Sequence, residues 1–382
     1  MVEQRVGLGE IAREWGRIGL LGFGGPPAHI LLLRRLCVER RKWMEPGEFE
    51  DGIAATNLLP GPASTQLAIF TAWRLRGTAG ALVGGACFIS PGLVLILALS
   101  ALFLAGDPPL WVLGAAAGAG AAVPAVAVQA ATSLVPGSFA RVGRERIARA
   151  RWAGYALAGA AAAILTGPWL VLVLVAAGLA ETAVRARGRS AALPAAAALP
   201  ALPVLGGLGA VAWVAFKVGA LSYGGGFVII PLMQDDAVHR YHWMTDGQFL
   251  NAVALGQVTP GPVVHTVAAV GYAAAGLGGG LLAAAVAFAP SFLFVVLGAR
   301  HFDRLRANQR VQDFLTGAGP AVVGAVAGSA VPLAASLGEG WQWGVLAAAL
   351  LWLVAARRGV VLTLLAAGAA GVIAAAAGLP VS

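Results

Sequence analysis

Long apolar runs separated by short charged clusters recur from one end of the chain to the other. Runs such as 78–104 and 110–135 exceed the roughly 20 residues a helix needs to cross hydrocarbon. The pattern therefore predicts an all-α, polytopic membrane bundle and not an anchored soluble domain. In the first half, crossings are predicted near 16–34, 78–104, 110–135, 152–165 and 168–184. The segment 49–73 is interrupted by NLLPGP and is expected to enter and leave the bilayer on one side, as a re-entrant hairpin. At about 1.5 Å per residue, 152–165 and 168–184 are short, so that pair is also readable as a hairpin that does not fully span.

The pattern then repeats itself. In a register of 200 residues Gly24-Gly25 meets Gly224-Gly225, Trp43-Met44 meets Trp243-Met244, and Pro60-Gly61-Pro62 meets Pro260-Gly261-Pro262. Phe88 meets Phe288 and, one deletion later, Pro91 meets Pro290. The duplication predicts two transporter repeats, 1–190 and 191–382, joined through the Arg-, Ala- and Pro-rich stretch 185–203.

Equivalent loops carry opposite charge. Arg34, Arg35, Arg40, Arg41 and Lys42 face a counterpart holding Asp235, Asp236 and Asp246 against Arg240. Conversely, the link near Asp107 is poor in cations, whereas its counterpart has Arg300, Arg304, Arg306 and Arg310. Because Lys and Arg are retained on the cytoplasmic side, the halves are expected to insert in opposite senses. Such inverted repeats are common in secondary transporters. Opposite insertion requires an odd number of crossings per half, and five fits; the basic loops then face the cytoplasm and the amino terminus lies outside.

Composition agrees. Charged residues make up 11% and hydrophobic ones 59%, with a mean hydropathy of +0.81. The net charge of +9 could suggest nucleic acid, but the arginines sit in short clusters between apolar runs, as expected of cytoplasmic loops. Cys37 and Cys87 have neither CxxC spacing nor a nearby His, so neither a disulfide framework nor a metal or other cofactor site is indicated. The start, MVEQRVGLGEIAREWGR, lacks the apolar core and cleavage site of a secretory signal.

Two places in each half break the helix: 22–30 with 221–231, and 57–66 with 257–266. Proline removes a backbone donor, and paired glycines admit conformations closed to other residues. In hydrocarbon, freed backbone is tolerated only where it is buried in protein or lines a polar cavity. The breaks Gly24, Gly25, Gly224, Gly225, Pro60, Gly61, Pro62, Thr259, Pro260, Gly261 and Pro262 are therefore candidates for a substrate path. A half-helix amino terminus attracts anions. Pro62 suits the first turn of one, and Ser64, Thr65 and Gln66 behind it are donors for an oxyanion. Arg17 and Lys217, each seven residues before a double glycine, would attract a dianion or simply snorkel. Asn57 and Gln257 either contact substrate or satisfy broken backbone. His265, opposite Thr65, is the proton-coupling candidate, with a packed neutral histidine as the alternative. Intramembrane acids are scarce, which argues against a cation pump.

GFGGPPAHI, RRKWM and LPGPASTQLAI, followed by a glycine-rich helix ending in Phe88 and Pro91, resemble the chromate ion transporter family in its long, two-domain form. The resemblance covers essentially the full chain. It implies export of chromate, with sulfate as a structural mimic, across the bacterial inner membrane at the expense of the proton motive force. The second half departs from the pattern: Tyr223 and Gly226 replace Phe23 and Pro26, and Val263-Val264-His265 replaces Ala63-Ser64-Thr65. Sulfate or another tetrahedral oxyanion is the nearest alternative substrate. A membrane enzyme would need a nucleophile with a base, a metal cluster or paired acids, and the sequence offers none. The expected partners are thus the oxyanion and the bilayer, with a homodimer left open.

Overall fold

A computed structural model describes residues 6–104, 108–143, 145–165, 170–186, 206–222 and 227–381, and these contain helices but no strand. The first half provides α1 (Leu8–Leu21), α2 (Pro26–Arg34), α3 (Pro46–Thr56), α4 (Ala63–Phe103), α5 (Leu110–Ala140), α6 (Arg146–Leu165) and α7 (Leu170–Ala186). The second provides α8 (Gly207–Leu221), α9 (Ile230–Gln234), α10 (Asp246–Val258), α11 (Thr266–Gly298), α12 (Phe302–Ala307), α13 (Gln309–Ala335), α14 (Gly340–Leu350) and α15 (Val360–Ala376). Among the described residues α4, α5, α11 and α13 are long and apolar enough to cross a membrane. The expected boundary near 190, the link near Asp107 and the turn at 166–168 lie outside the described residues.

The 41 residues of α4 are not one rod. Arg76 and Gly77 leave helical geometry, Gly77 at φ +59° and ψ −148°, a conformation that costs glycine little and other residues much. Beyond it the chain doubles back: a Cβ on Gly80 would lie 2.2 Å from the Ala72 carbonyl oxygen, whereas eight residues along a straight helix span about 12 Å. The same reversal occurs in α11, at Ala275 and Gly276. Arg74, just before the first reversal, forms an ion pair with Glu48 at the start of α3. Hence α3, the 57–62 break and the first part of α4 make a hairpin whose two ends meet, the geometry that a re-entrant segment requires.

Other repeated positions also share backbone geometry. A wide turn at Arg35–Arg40 is matched by one at Asp235–Arg240. Lys42 and His242 both sit at φ 52°, and the amides of Trp43 and Trp243 donate to the carbonyls of Cys37 and Ala237 at 2.7 and 2.8 Å.

The predicted crossing 16–34 is overturned: α1 and α2 fold back as a hairpin. Arg41, beyond α2, pairs with Glu10 and Glu14 in α1 at 3.1 and 2.9 Å, whereas the 27 positions from Glu14 to Arg41 would span about 40 Å as a straight helix. Helix α1 starts earlier, at Leu8, because Ile11, Trp15 and Ile18 continue one buried face upstream. It stops at Leu21, and α2 begins only after Gly24 and Gly25, both at positive φ.

The two halves are interwoven. Helix α5 packs on α15, and α13 packs on α6 and α7. Glycines permit the approach: Cβ atoms on Gly118 and Gly159 would lie 2.2 and 2.0 Å from the carbonyl oxygens of Ala367 and Ala321. Association of membrane helices depends on such close packing, since lipid supplies no hydrophobic drive between them. Helices α4 and α11 pack together at the centre, flanked by α1 and α8 respectively.

Candidate functional site

The helix breaks meet across the two halves. The Gly61 amide donates to the Ser222 carbonyl at 2.5 Å, and the Gly261 amide donates to the Gly22 carbonyl at 3.0 Å. These are reciprocal bonds, because Gly22 and Ser222, like Gly61 and Gly261, are repeat equivalents. Each junction is capped by the opposite half: the Cβ position of Gly61 lies 3.3 Å from Ser291 Oγ, and that of Gly92 lies 2.1 Å from the Pro260 carbonyl oxygen.

Only the Gly22–Gly261 junction carries histidines. His29 turns back from α2, with Nε2 2.9 Å from the Gly22 carbonyl and Nδ1 3.1 Å from Ser64 Oγ. A carbonyl only accepts, so Nε2 bears the proton and Nδ1 accepts from the Ser64 hydroxyl. His265, fully buried, stands within contact of Gly92 and edge-on to Phe288. Sequence reasoning singled out His265 and missed His29, whose signal was its position immediately behind GFGGPPA.

Buried polar atoms without a hydrogen-bond partner concentrate here. Seven of the ten found among the described residues belong to Thr65, Gln66, Ser222, Gln257, His265 (both ring nitrogens) and Ser291, although the Ile89 backbone also interacts with the His265 ring. Leaving such a group unmet costs about 1–3 kcal/mol. Three hydroxyls, an amide nitrogen and an imidazole are all able to donate. Gln66 Oε1 is the exception, its Nε2 donating to the Pro60 carbonyl.

A half-open cavity of about 210 Å³ meets the first break at Gly61; Asn57, Ala63, Ser133, Ser138 and Arg141 also line it, and none of the seven unmet atoms belongs to its lining. No carboxylate lines it. Pro62 caps α4 and Ala63 is its first residue, so the amide end of that helix faces the cavity. Sequence reasoning missed Ser133, Ser138 and Arg141; it counted Arg141 only as a loop charge. Asn57 and Pro60 are exposed, whereas Thr259, Pro260, Gly261 and Pro262 are buried, and α10 packs against α5.

The structure brings together Pro60, Gly61, Pro62, Ser64, Thr65, Gln66, Gln257, Thr259, Pro260, Gly261, Pro262 and His265 around the two junctions, with Asn57 at the cavity. Gly24 and Gly25 shape the first break from its exposed side. Gly224 and Gly225 lie outside the described residues. Arg17 and Lys217 stand apart: Arg17 lines a separate groove, and Lys217 is paired with Asp236 and lies 5.8 Å from the Trp213 ring. Burial raises the Asp236 carboxyl above its ordinary value, although the Lys217 ammonium pulls the other way.

Broken helices joined around unmet donors, in a bundle with several apolar spans, define a multi-pass membrane transporter. The chain belongs to the chromate transporter family, whose pattern matches residues 9–181 and again 209–372. It is 34% identical over 329 positions to the chromate transport protein of Cupriavidus metallidurans, covering 83% of this chain and 80% of that one. It is also 34% identical over 387 positions to the chromate transport protein of Pseudomonas aeruginosa (93% and 89% covered). With a probable chromate transport protein of Synechococcus elongatus it shares 29% over 339 positions (85% and 84%). No solved structure matches.

Proposed function

We propose that this protein is a secondary transporter that exports chromate across the bacterial plasma membrane, driven by the proton gradient. The observation that carries the reading is the cluster of unmet donors at the helix junctions, beside a carboxylate-free cavity that meets the first break at Gly61. Donors without fixed negative charge suit a tetrahedral dianion and repel no part of it. Cations would find neither the acids nor the surplus carbonyls they need.

In this reading the halves 1–190 and 191–382 are inserted in opposite senses, with the 57–62 and 259–262 breaks at mid-bilayer. The mixture of an open break in the first half and a buried one in the second is one end state of alternating access. Exchange of the two conditions, α3 closing while α10 leaves α5, would open the other side. His265 would carry the returning proton inward once the anion has left the site, so that proton and anion occupy it in alternation.

Everted membrane vesicles energised acid-inside test the whole scheme. Chromate should accumulate, collapse with a protonophore and compete with excess sulfate. Thr65→Ala with Ser222→Ala and Ser291→Ala should reduce uptake at least about tenfold, the effect of losing about 1.4 kcal/mol of transition-state binding. His265→Gln should keep downhill exchange yet lose its response to the pH gradient. Unchanged uptake in the triple variant would remove the site, and accumulation indifferent to the gradient would remove the coupling.

A further inference from the structure

The groove that holds Arg17 does not belong to the junctions. It lies between α1 and the α2 segment, encloses about 470 Å³, and is lined by Arg17, Arg35 and Arg40 together with Ile18, Leu21, Leu32 and Leu36. All three arginines are exposed, and among the described residues none has an ion-pair partner. Two acids line the groove, and both are engaged elsewhere: Glu14 accepts from Arg41 at 2.9 Å, and Glu39 lies 3.9 Å from Arg34. The groove therefore presents an unbalanced positive charge beside an apolar wall. That wall continues outward, with Leu20, Leu21 and Leu31 at 57, 53 and 46% exposure.

We propose that this groove binds an anionic phospholipid, its phosphate among Arg17, Arg35 and Arg40 and an acyl chain along Leu20, Leu21 and Leu31. An inorganic oxyanion would meet the charge but leave the leucines uncovered, whereas a lipid satisfies both. Basic recesses where helices leave the bilayer suit such headgroups. The second half supplies an internal contrast. There Lys217 is neutralised by Asp236, where Arg17 has only Leu36 opposite, and Asp235 replaces Arg35. Arg240 also lies 4.0 Å from Asp236. The same position in the repeat has been discharged, so the lipid is bound by one half alone.

Native mass spectrometry of the purified full chain, with phosphatidylglycerol or phosphatidylcholine of identical chains added, tests this. Wild type should retain phosphatidylglycerol over phosphatidylcholine. Arg17→Gln with Arg35→Gln and Arg40→Gln should weaken that retention at least about tenfold, since each surface cation contributes about 1 kcal/mol. Millimolar inorganic phosphate or chromate should not displace the lipid, and Leu21→Ser with Leu31→Ser should weaken long-chain lipid while leaving the headgroup preference. Should the triple variant fail to fold, Arg17→Gln alone is expected to lose about fivefold. Equal retention by wild type and the arginine variants overturns the proposal, as does equal retention of both lipids. Ready displacement by phosphate or chromate also overturns it and makes the groove a free-oxyanion site.

Discussion

The Gly61 amide donates to the Ser222 carbonyl at 2.5 Å, tying the second break of one half to the first break of the other. Gly61 adopts φ +117°, and a Cβ there would lie 2.4 Å from Gln66 Nε2. Gly61→Ala should therefore meet both a strained backbone, about 1–3 kcal/mol, and a displaced Gln66. The expected result is a lower unfolding temperature and loss of chromate uptake, read by a thermal melt in detergent and vesicle flux. An alanine variant with wild-type flux would show that the junction is dispensable.

Gly92→Ala tests the second junction. The added methyl would lie 2.1 Å from the Pro260 carbonyl oxygen and 2.7 Å from His265 Cε1, and overpacking of this kind costs about 1–3 kcal/mol or more. Gly278→Ala, with nothing within 4 Å of its Cβ position, should be neutral or slightly stabilising. Melting the two variants side by side separates crowding at the junction from a general intolerance of alanine.

Among the described residues Arg141 is the one cation in the cavity lining, and it is exposed. Its expected contribution is capture of the anion, about 1 kcal/mol in water-accessible surroundings. Arg141→Gln should raise the apparent KM for chromate about fivefold with little change in maximal rate, and the gap should narrow at high salt. Arg141→Lys should restore most of it. A variant with altered maximal rate and unaltered KM would place the residue in the conformational step instead.

Glu14, on α1 where it meets Arg41 beyond the Arg35–Arg40 turn, should confer acid sensitivity. Its hydrogen bond from Arg41, 2.9 Å long, holds the carboxyl below its ordinary value of 4.5. A depressed carboxylate stabilises the fold above its unfolded pKa and loses that contribution as pH falls through the folded one. Glu14→Gln should thus melt lower than wild type at neutral pH, with the difference shrinking on acidification below about pH 4.5. Melting curves across pH 3–7 measure this, and a pH-independent difference would mean the side chain acts through packing alone.

Much of this site could be read from residue order because its parts are local. Proline and glycine disrupt helices wherever they occur, so Pro60-Gly61-Pro62 and Gly24-Gly25 announced breaks without knowledge of their surroundings. What stayed hidden depends on distant pairings. Ser133, Ser138 and Arg141 matter only because α5 leans over the first break, and no periodicity in 110–140 reports that. Arg17 and Lys217 looked equivalent in register, yet Leu36 and Asp236 opposite them give the two cations different lives. His29 escaped attention because its partner, Ser64, is supplied by another helix.

The interlacing of α5 with α15 and of α13 with α6 and α7 bears on how the chain is made. When Gly118 leaves the ribosome, the Ala367 backbone it will rest against has not been synthesised. The first half must therefore wait in the bilayer with an unclosed seam until α15 has been made. A nascent chain stalled or truncated before α15 would expose that seam to quality-control proteases, so production of intact transporter is an all-or-nothing event.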